Sequence, residues 1–299
     1  GHTRPALLAP LVHMGVGGLA TRPIARALGW SPSTVAHQIS RLGRHCLLFQ
    51  ARELERIRNL GEIVIDGFES FEYSQYHPFH HNVAIEVESG YFLMHTDSPL
   101  RRKGRMTTHQ KQRRLDLEMK LGRPARDAVR VGIRELLEPL AARCDTLTIR
   151  SDDHRAYPPA MRQLDCRVIH QVTSSKQRRD DRNPLWEVNL ADLMIRHSTA
   201  AHKRETIAWA KRRQASAEKL AIFQVWRNYV KRRWEKGPAE SSAMIKGLAT
   251  RLLRIRDVLS HRRFRQQIEL PPCWSRYYDR RVETPALGVN RIHTLTYAY

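Results

Sequence analysis

A chain of 299 residues with 41% hydrophobic content can bury one large core or two to three smaller ones, and 52 Lys+Arg against 30 Asp+Glu give it a formal charge of +22. A field of that sign draws polyanions, nucleic acid before an anionic membrane surface. No apolar run approaches the roughly 20 residues of a spanning helix, no signal peptide is visible, and Cys46, Cys144, Cys166 and Cys273 stand far apart without a CxxC pair, which speaks against zinc and for reduced thiols in a cytoplasmic chain. The chain starts Gly1-His2 without an initiator methionine, as a fragment would.

Residues 20–45, ATRPIARALGWSPSTVAHQISRLGRH, read as two short helices around a tight turn. Ile24, Ala25 and Leu28 mark the inner face of the first, Gly29 breaks it, and Ser31 caps the second with Pro32 at its first position. Val35, Ile39 and Leu42 then recur at i, i+4, i+7. This is the helix-turn-helix pattern, whose second helix lies in the major groove. Ser33, Thr34, His37, Gln38 and Arg41 would face outward, toward phosphates and base edges. A plain helical hairpin is the structural alternative.

After a helix near 45–58 the pattern changes. Residues 61–66 (GEIVID) read as a strand, and 80-HHNVAIEVESGYFLMHT-96 as a hairpin turning at Glu88-Ser89-Gly90. A helix over 125–143, a strand at 145–151, a helix near 156–164, a strand at 167–173 and a long helical stretch from about 185 follow. Three strands, helix, strand, helix, strand, helix is the order of a ribonuclease-H-like fold, in which the first and fourth strands are neighbours. Asp66 ends the first strand and Asp152 the fourth, so their carboxylates would converge. Like charges that close repel unless cations sit between them, and hard divalent metals can there activate a hydroxyl and stabilise the leaving oxygen of a phosphodiester. The alternative is that each aspartate merely caps a loop.

A third acid is expected from the helix after the fifth strand. Glu187, in 183-NPLWEVNLADLMIRH-197, has 34 residues between it and Asp152. The combination resembles the DDE transposases of bacterial insertion sequences. The blocks VIDGFESFEYSQY, TDSPLRRKGRM, SDDHRAYPPAM, NPLWEVN, HKRETIAWAKRRQ and VWRNYVKRR resemble one subgroup of them across essentially the whole chain. The resemblance implies three acids, here Asp66, Asp152 and Glu187, holding two Mg²⁺ (or Mn²⁺) ions that cut a strand at the element's end and join its 3′-hydroxyl to target DNA. It also implies double-stranded DNA as partner, a homodimer or larger assembly, and a bacterial, nucleoid-associated setting. Members of that subgroup carry a cysteine-rich zinc-binding segment ahead of the helix-turn-helix, which this sequence lacks. Their pattern at the third position does not require Glu187. Asp192 is the second candidate and Glu205 the third, about 27 Å further along if one helix runs unbroken. An exposed helix carboxylate paired with nearby arginines is the plain alternative for all three. Asp153 would face away from Asp152, Asp97 reads as a turn residue or a helper of Arg101, and His80, His81, His154 and His170 show no ligand spacing.

Seven Lys/Arg fall between Arg101 and Arg114 without an acid among them. The connection 98–124 therefore reads as an arm along DNA, with Arg101, Arg102, Lys103 and Arg105 as contacts; a solvated loop is the alternative. Residues 203–214 and 227–236 extend the basic pattern on helices. There Lys203, Arg204, Lys211, Arg212, Arg213, Arg227, Lys231, Arg232 and Arg233 are free to meet phosphates, while Leu220, Phe223, Val225 and Trp226 read as core. GPAESSA from 237 reads as a linker, 243–264 as helix, and 270–299 as too apolar for a free tail. The expected architecture is thus an α/β ribonuclease-H-like catalytic domain (59–236, basic insertion 98–124), a mixed sheet flanked by helices. An all-α helix-turn-helix region (1–58) precedes it and a mainly helical extension (237–299) packs on it or on a second subunit. The expected function is a DNA transposase. A helix-turn-helix regulator without catalysis and an inactive transposase remnant are the alternatives.

Overall fold

The run 63-IVIDGFESF-71 is rich in β-branched and aromatic residues that suit a pleated surface. In the computed structural model, which describes residues 5–203, 206–260 and 262–290, it is β1 (Ile63–Phe71), the middle strand of a five-stranded mixed sheet. β2 (Pro78–Glu86) and β3 (Phe92–Pro99) extend the sheet antiparallel on one side; β4 (Thr146–Asp152) and β5 (Arg167–Thr173) extend it parallel on the other. The order is β3-β2-β1-β4-β5, so the first and fourth strands are neighbours, with Ile63 opposite Ile149 and Val64 opposite Arg150.

Helices α1 (Leu8–Val16), α2 (Thr21–Leu28) and α3 (Pro32–Glu55) precede the sheet. α4 (Thr108–Leu121) and α5 (Ala128–Ala141) lie between β3 and β4, and α6 (Tyr157–Met161) between β4 and β5. α7 (Trp186–Ser198), α8 (Arg213–Val225), α9 (Ser242–Ile245), α10 (Ile255–Leu259) and α11 (Pro272–Tyr278) follow. Strand alternation sorts the sheet's side chains onto two faces. Ile63, Ile65, Leu147 and Ile149 join the core that includes Ile133 and Leu137 of α5. Val64, Phe68, Val83 and Ile85 pack with Val188, Ala191 and Ile195 of α7 and Leu220 and Phe223 of α8. Helices therefore cover both faces, the α/β arrangement expected.

Three segments depart from the sequence reading. The helices expected at 31–45 and 45–58 are one 24-residue helix, α3. Gly43 does not end it: a Cβ there would lie 2.6 to 2.8 Å from Glu218 of α8, so the glycine is where the two helices cross. Its helical cost of about 1 kcal/mol is offset by that contact. Residues 206–212 are not helical; α8 begins at Arg213, and it passes through one π-turn, Trp226–Val230, into irregular chain. The stretch 243–264 is not one helix but two short ones, because Gly247 takes a positive φ of 75°. Among the described residues no helix is long and apolar enough to cross a membrane.

The core carries four imidazoles. His45, His81, His95 and His202 are essentially inaccessible, and burial drives all of them below the ordinary value, His81 to about 3 and His45 and His95 to about 4. A neutral, buried imidazole binds fewer protons native than unfolded. Its stabilising effect is complete above pH about 6.5 and drains as pH falls toward about 4. At pH 5 the loss is on the order of 1–2 kcal/mol per group, so the four together approach a typical total stability of 5–15 kcal/mol. The urea midpoint should accordingly collapse between pH 6.5 and pH 5; a midpoint flat across that range would show that these rings are protonated or open to water.

Candidate functional site

Extending the β1–β4 register by two residues sets Asp66 beside Asp152, and both alternate with Val64 and Arg150 onto the face that α7 covers. The side chains feel one another. Asp66 is pushed up to about 7, first by burial, then by the charges of Asp152 and Asp192; the Gly67 N–H and Arg179 work the other way. Tyr157, at the start of α6, is buried between the two strand-end acids, and burial and then Asp66 and Asp152 lift its hydroxyl well above the ordinary value.

Glu187 and Asp192 both lie on α7, five positions apart, hence about 140° apart around the helix. They flank the stripe of Val188, Ala191 and Ile195 on opposite sides. Asp192 is the one whose charge reaches Asp66. Glu187 is buried and accepts from Arg233 Nη2 at 2.5 Å. Both Asp192 oxygens accept from Arg196 Nε at 3.2 Å, and the Arg196 guanidinium lies 5.2 Å from the Phe68 ring centroid. α7 ends at Ser198, so the helix does not run unbroken to Glu205, and Glu205 lies outside the described residues.

Sequence reasoning passed over much of the surround. Gly67 leaves room for β2: a Cβ there would meet His81 O at 2.0 Å and His80 Cε1 at 2.3 Å. The state of His80 follows from a chain of hydrogen bonds. The Thr96 hydroxyl donates to Gly132 O (2.8 Å), so it accepts from Asn82 Nδ2 (2.9 Å). Asn82 Oδ1 then accepts from His80 Nδ1 (2.8 Å), which leaves the lone pair of neutral His80 on Nε2. Burial lowers His80, while Glu69, and Asp152 more weakly, work upward. His154 donates its backbone N–H to Asp152 Oδ1 at 3.0 Å, and its ring feels Arg155 and Lys103. Lys103, Arg155 and Arg179 thus supply positive charge around the acids. Asp153 accepts from Ser175 N, away from Asp152.

Several expected DNA contacts are committed elsewhere. Ser33, Thr34 and His37 are exposed at the start of α3 and Gln38 is half-buried, whereas Arg41 is only 6% exposed because the continuous helix turns it toward the core. Arg101 forks onto Glu118 (2.7 and 2.9 Å). Arg212 donates to Leu287 O and Gly288 O, and Arg213 is buried between Glu72 (3.1 Å) and Asp97 (2.6 Å). Asp97 therefore serves Arg213 and Tyr277 rather than Arg101. Arg227 is buried and donates to Gly90 O, and Arg233 holds Glu187. Lys103, Arg105, Lys203 and Lys211 remain exposed, with Lys211 over the Trp209 indole. Arg204 lies outside the described residues.

Carboxylate oxygens suit hard divalent cations, and a raised Asp66 is what an acid pair without its cation gives. The ligand set is incomplete, however. Among the described residues no three Asp, Glu, His or Cys side chains stand close enough together to hold an ion, and Asp192 is turned to Arg196.

No protein-family profile matches the chain, and no curated protein does. Among solved structures, one similar chain comes from a cryo-electron-microscopy structure of the simian T-cell lymphotropic virus intasome in complex with PP2A regulatory subunit B56 gamma. The identity is 13% and the TM-score 0.27, over 66% of this chain and 60% of that one.

Proposed function

We propose that the chain is a ribonuclease-H-like DNA transposase of an insertion sequence, which grips double-stranded DNA with its exposed basic face and cuts and joins strands at Asp66, Asp152 and Asp192. The observation that carries the reading is the placing of Asp66 and Asp152 in matched register on one face of adjacent parallel strands. Asp192 takes the place first given to Glu187, because it lies on the flank of α7 that faces the pair. Asp66 and Asp152 would hold the divalent cations, which supply activation of a hydroxyl and stabilisation of the leaving oxygen. Arg196 neutralises Asp192 in the DNA-free protein and is placed to exchange that carboxylate for a phosphate. Ser33, Thr34 and His37 would meet the groove, Lys103 and Arg105 the flanking phosphates, and a homodimer would hold two ends.

Two substitutions separate the candidate third acids. Asp192→Asn should abolish Mg²⁺- or Mn²⁺-dependent nicking of duplex DNA with little change in thermal stability. Glu187→Gln should instead cost roughly 3 kcal/mol, because it strands the buried Arg233, yet leave nicking per folded molecule intact. The reverse pattern would return the role to Glu187. A regulator that binds DNA without chemistry is favoured by the Arg196–Asp192 pair and the incomplete ligand set. Absence of nicking with either metal in a protein that binds the same duplex would establish it.

A further inference from the structure

Helix α4 has a capping box at Thr107 and Gln110 but buries none of its residues. Apolar packing therefore does not hold it in place. Polar struts do: Arg101 forks onto Glu118, and Arg114 Nη1 donates to Arg102 O at 3.3 Å. The helix stands as one wall of a cleft of about 300 Å³, whose other lining includes Tyr76, Pro78, Leu100 and Arg102.

The acids of this cleft are largely occupied. Glu118 is taken by Arg101, and Glu72 by Arg213 and Thr284. The donors are not. Arg102 Nη1 and Arg114 Nε are shut off from solvent with no acceptor, while the Arg102 guanidinium stacks 4.9 Å from the Tyr76 ring centroid. Buried N–H groups of charged side chains without acceptors are costly and rare, and here they share one cleft. Two guanidinium edges beside an aromatic face suit a phosphate oxygen with its sugar and base stacked alongside.

We propose that this cleft binds a backbone phosphate of DNA, with Arg102 and Arg114 as its ligands, Tyr76 as the stacking face, and Arg101–Glu118 as the strut that keeps α4 in place. The proposal rests on the DNA-processing reading above. Glu72, on the cleft wall, follows Asp66 by six positions along β1 and its continuation. At about 3.3 Å per residue that is roughly 20 Å, or about six phosphates along one strand of a duplex. The cleft would therefore seat DNA well away from the bond being cut and fix its direction.

The test compares the full chain with the double variant Arg102→Ala/Arg114→Ala. Both sites are at the surface, so an unchanged melting temperature serves as the fold control, and Arg102→Lys keeps the charge but loses the fork. Binding of a duplex is measured against salt, and inorganic phosphate is titrated separately. The double variant should bind roughly 10-fold or more weakly, with the slope of log K against log salt smaller by about 1 to 2; Arg102→Lys should recover part of the slope. If the parent binds duplex and the double variant has the same affinity and slope, the cleft proposal is overturned and the DNA reading stands. If the parent binds no DNA at all, the DNA reading fails first. In that case inorganic phosphate raising the parent's melting temperature but not the variant's identifies a free phosphate as ligand, which overturns the proposal as stated.

Discussion

Asp66→Asn should eliminate metal-dependent strand cutting and joining, leave duplex affinity unchanged or improved, and make the protein more stable. The three effects share one cause. Asp66 is a carboxyl driven up to about 7 by burial and by the charges of Asp152 and Asp192. An acid whose folded value is raised keeps its proton where the unfolded chain has lost it. It therefore destabilises the fold progressively from pH about 4 to pH about 7, and by a constant amount above. Asparagine removes that penalty, on the order of 2 kcal/mol at pH 8 after allowing for solvent at a half-buried group. The melting temperature should rise by several degrees at pH 8 and match the parent's at pH 4. Added Mg²⁺ should raise the parent's melting temperature and leave the variant's unchanged. A variant that still joins strands would remove Asp66 from the chemistry. A variant no more stable than its parent at pH 8 would remove the charge repulsion on which the site is built.

The strand order and the pairing of the two aspartates were readable because both depend on period-two patterns and on turn residues, which are local. The same holds for the turn at Gly29 and the cap at Ser31, whose Oγ accepts from Thr34 N at 3.0 Å. What escaped depends on tertiary contact. Gly43 reads as a helix end and is a crossing point with Glu218. Arg213 and Arg233 read as phosphate ligands, since nothing local marks an arginine that a distant acid has already claimed. The choice between Glu187 and Asp192 was legible in principle. Val188, Ala191 and Ile195 define which stripe of α7 is buried, and the acids lie on opposite flanks of it. Which flank faces β1 and β4 is set by how the helix lies across the sheet, and no sequence period contains that. Arg179 and Tyr157 were hidden for the same reason: they reach the acids from the segments after β5 and β4.

Arg213→Met should be the most destabilising single change outside the apolar core. Arg213 is the first residue of α8, where a cation opposes the helix dipole, so its place is explained only by the acids around it. Its Nε meets Glu72 Oε1 at 3.1 Å, its Nη1 meets Asp97 Oδ2 at 2.6 Å, and its Nη2 donates to Glu283 O at 2.6 Å. Burial alone would push Asp97 up, yet the guanidinium and the Tyr277 hydroxyl hold it below the ordinary carboxylate range. One side chain thus joins the end of β1, the end of β3 and the chain that returns after α11. Methionine fills the volume and leaves two buried carboxylates without their cation, a cost of about 3–5 kcal/mol, seen as a fall of roughly 10 °C in melting temperature. The segment around Glu283 loses an anchor as well, so limited proteolysis should cut beyond Tyr278 well before the core opens. Adding Asp97→Asn should recover part of the loss, because it removes one stranded charge without restoring any contact to Arg213. A drop of only a degree or two, or no recovery in the double variant, would mean that water already reaches these acids and that the returning chain is held by Trp274 and Tyr277 packing alone.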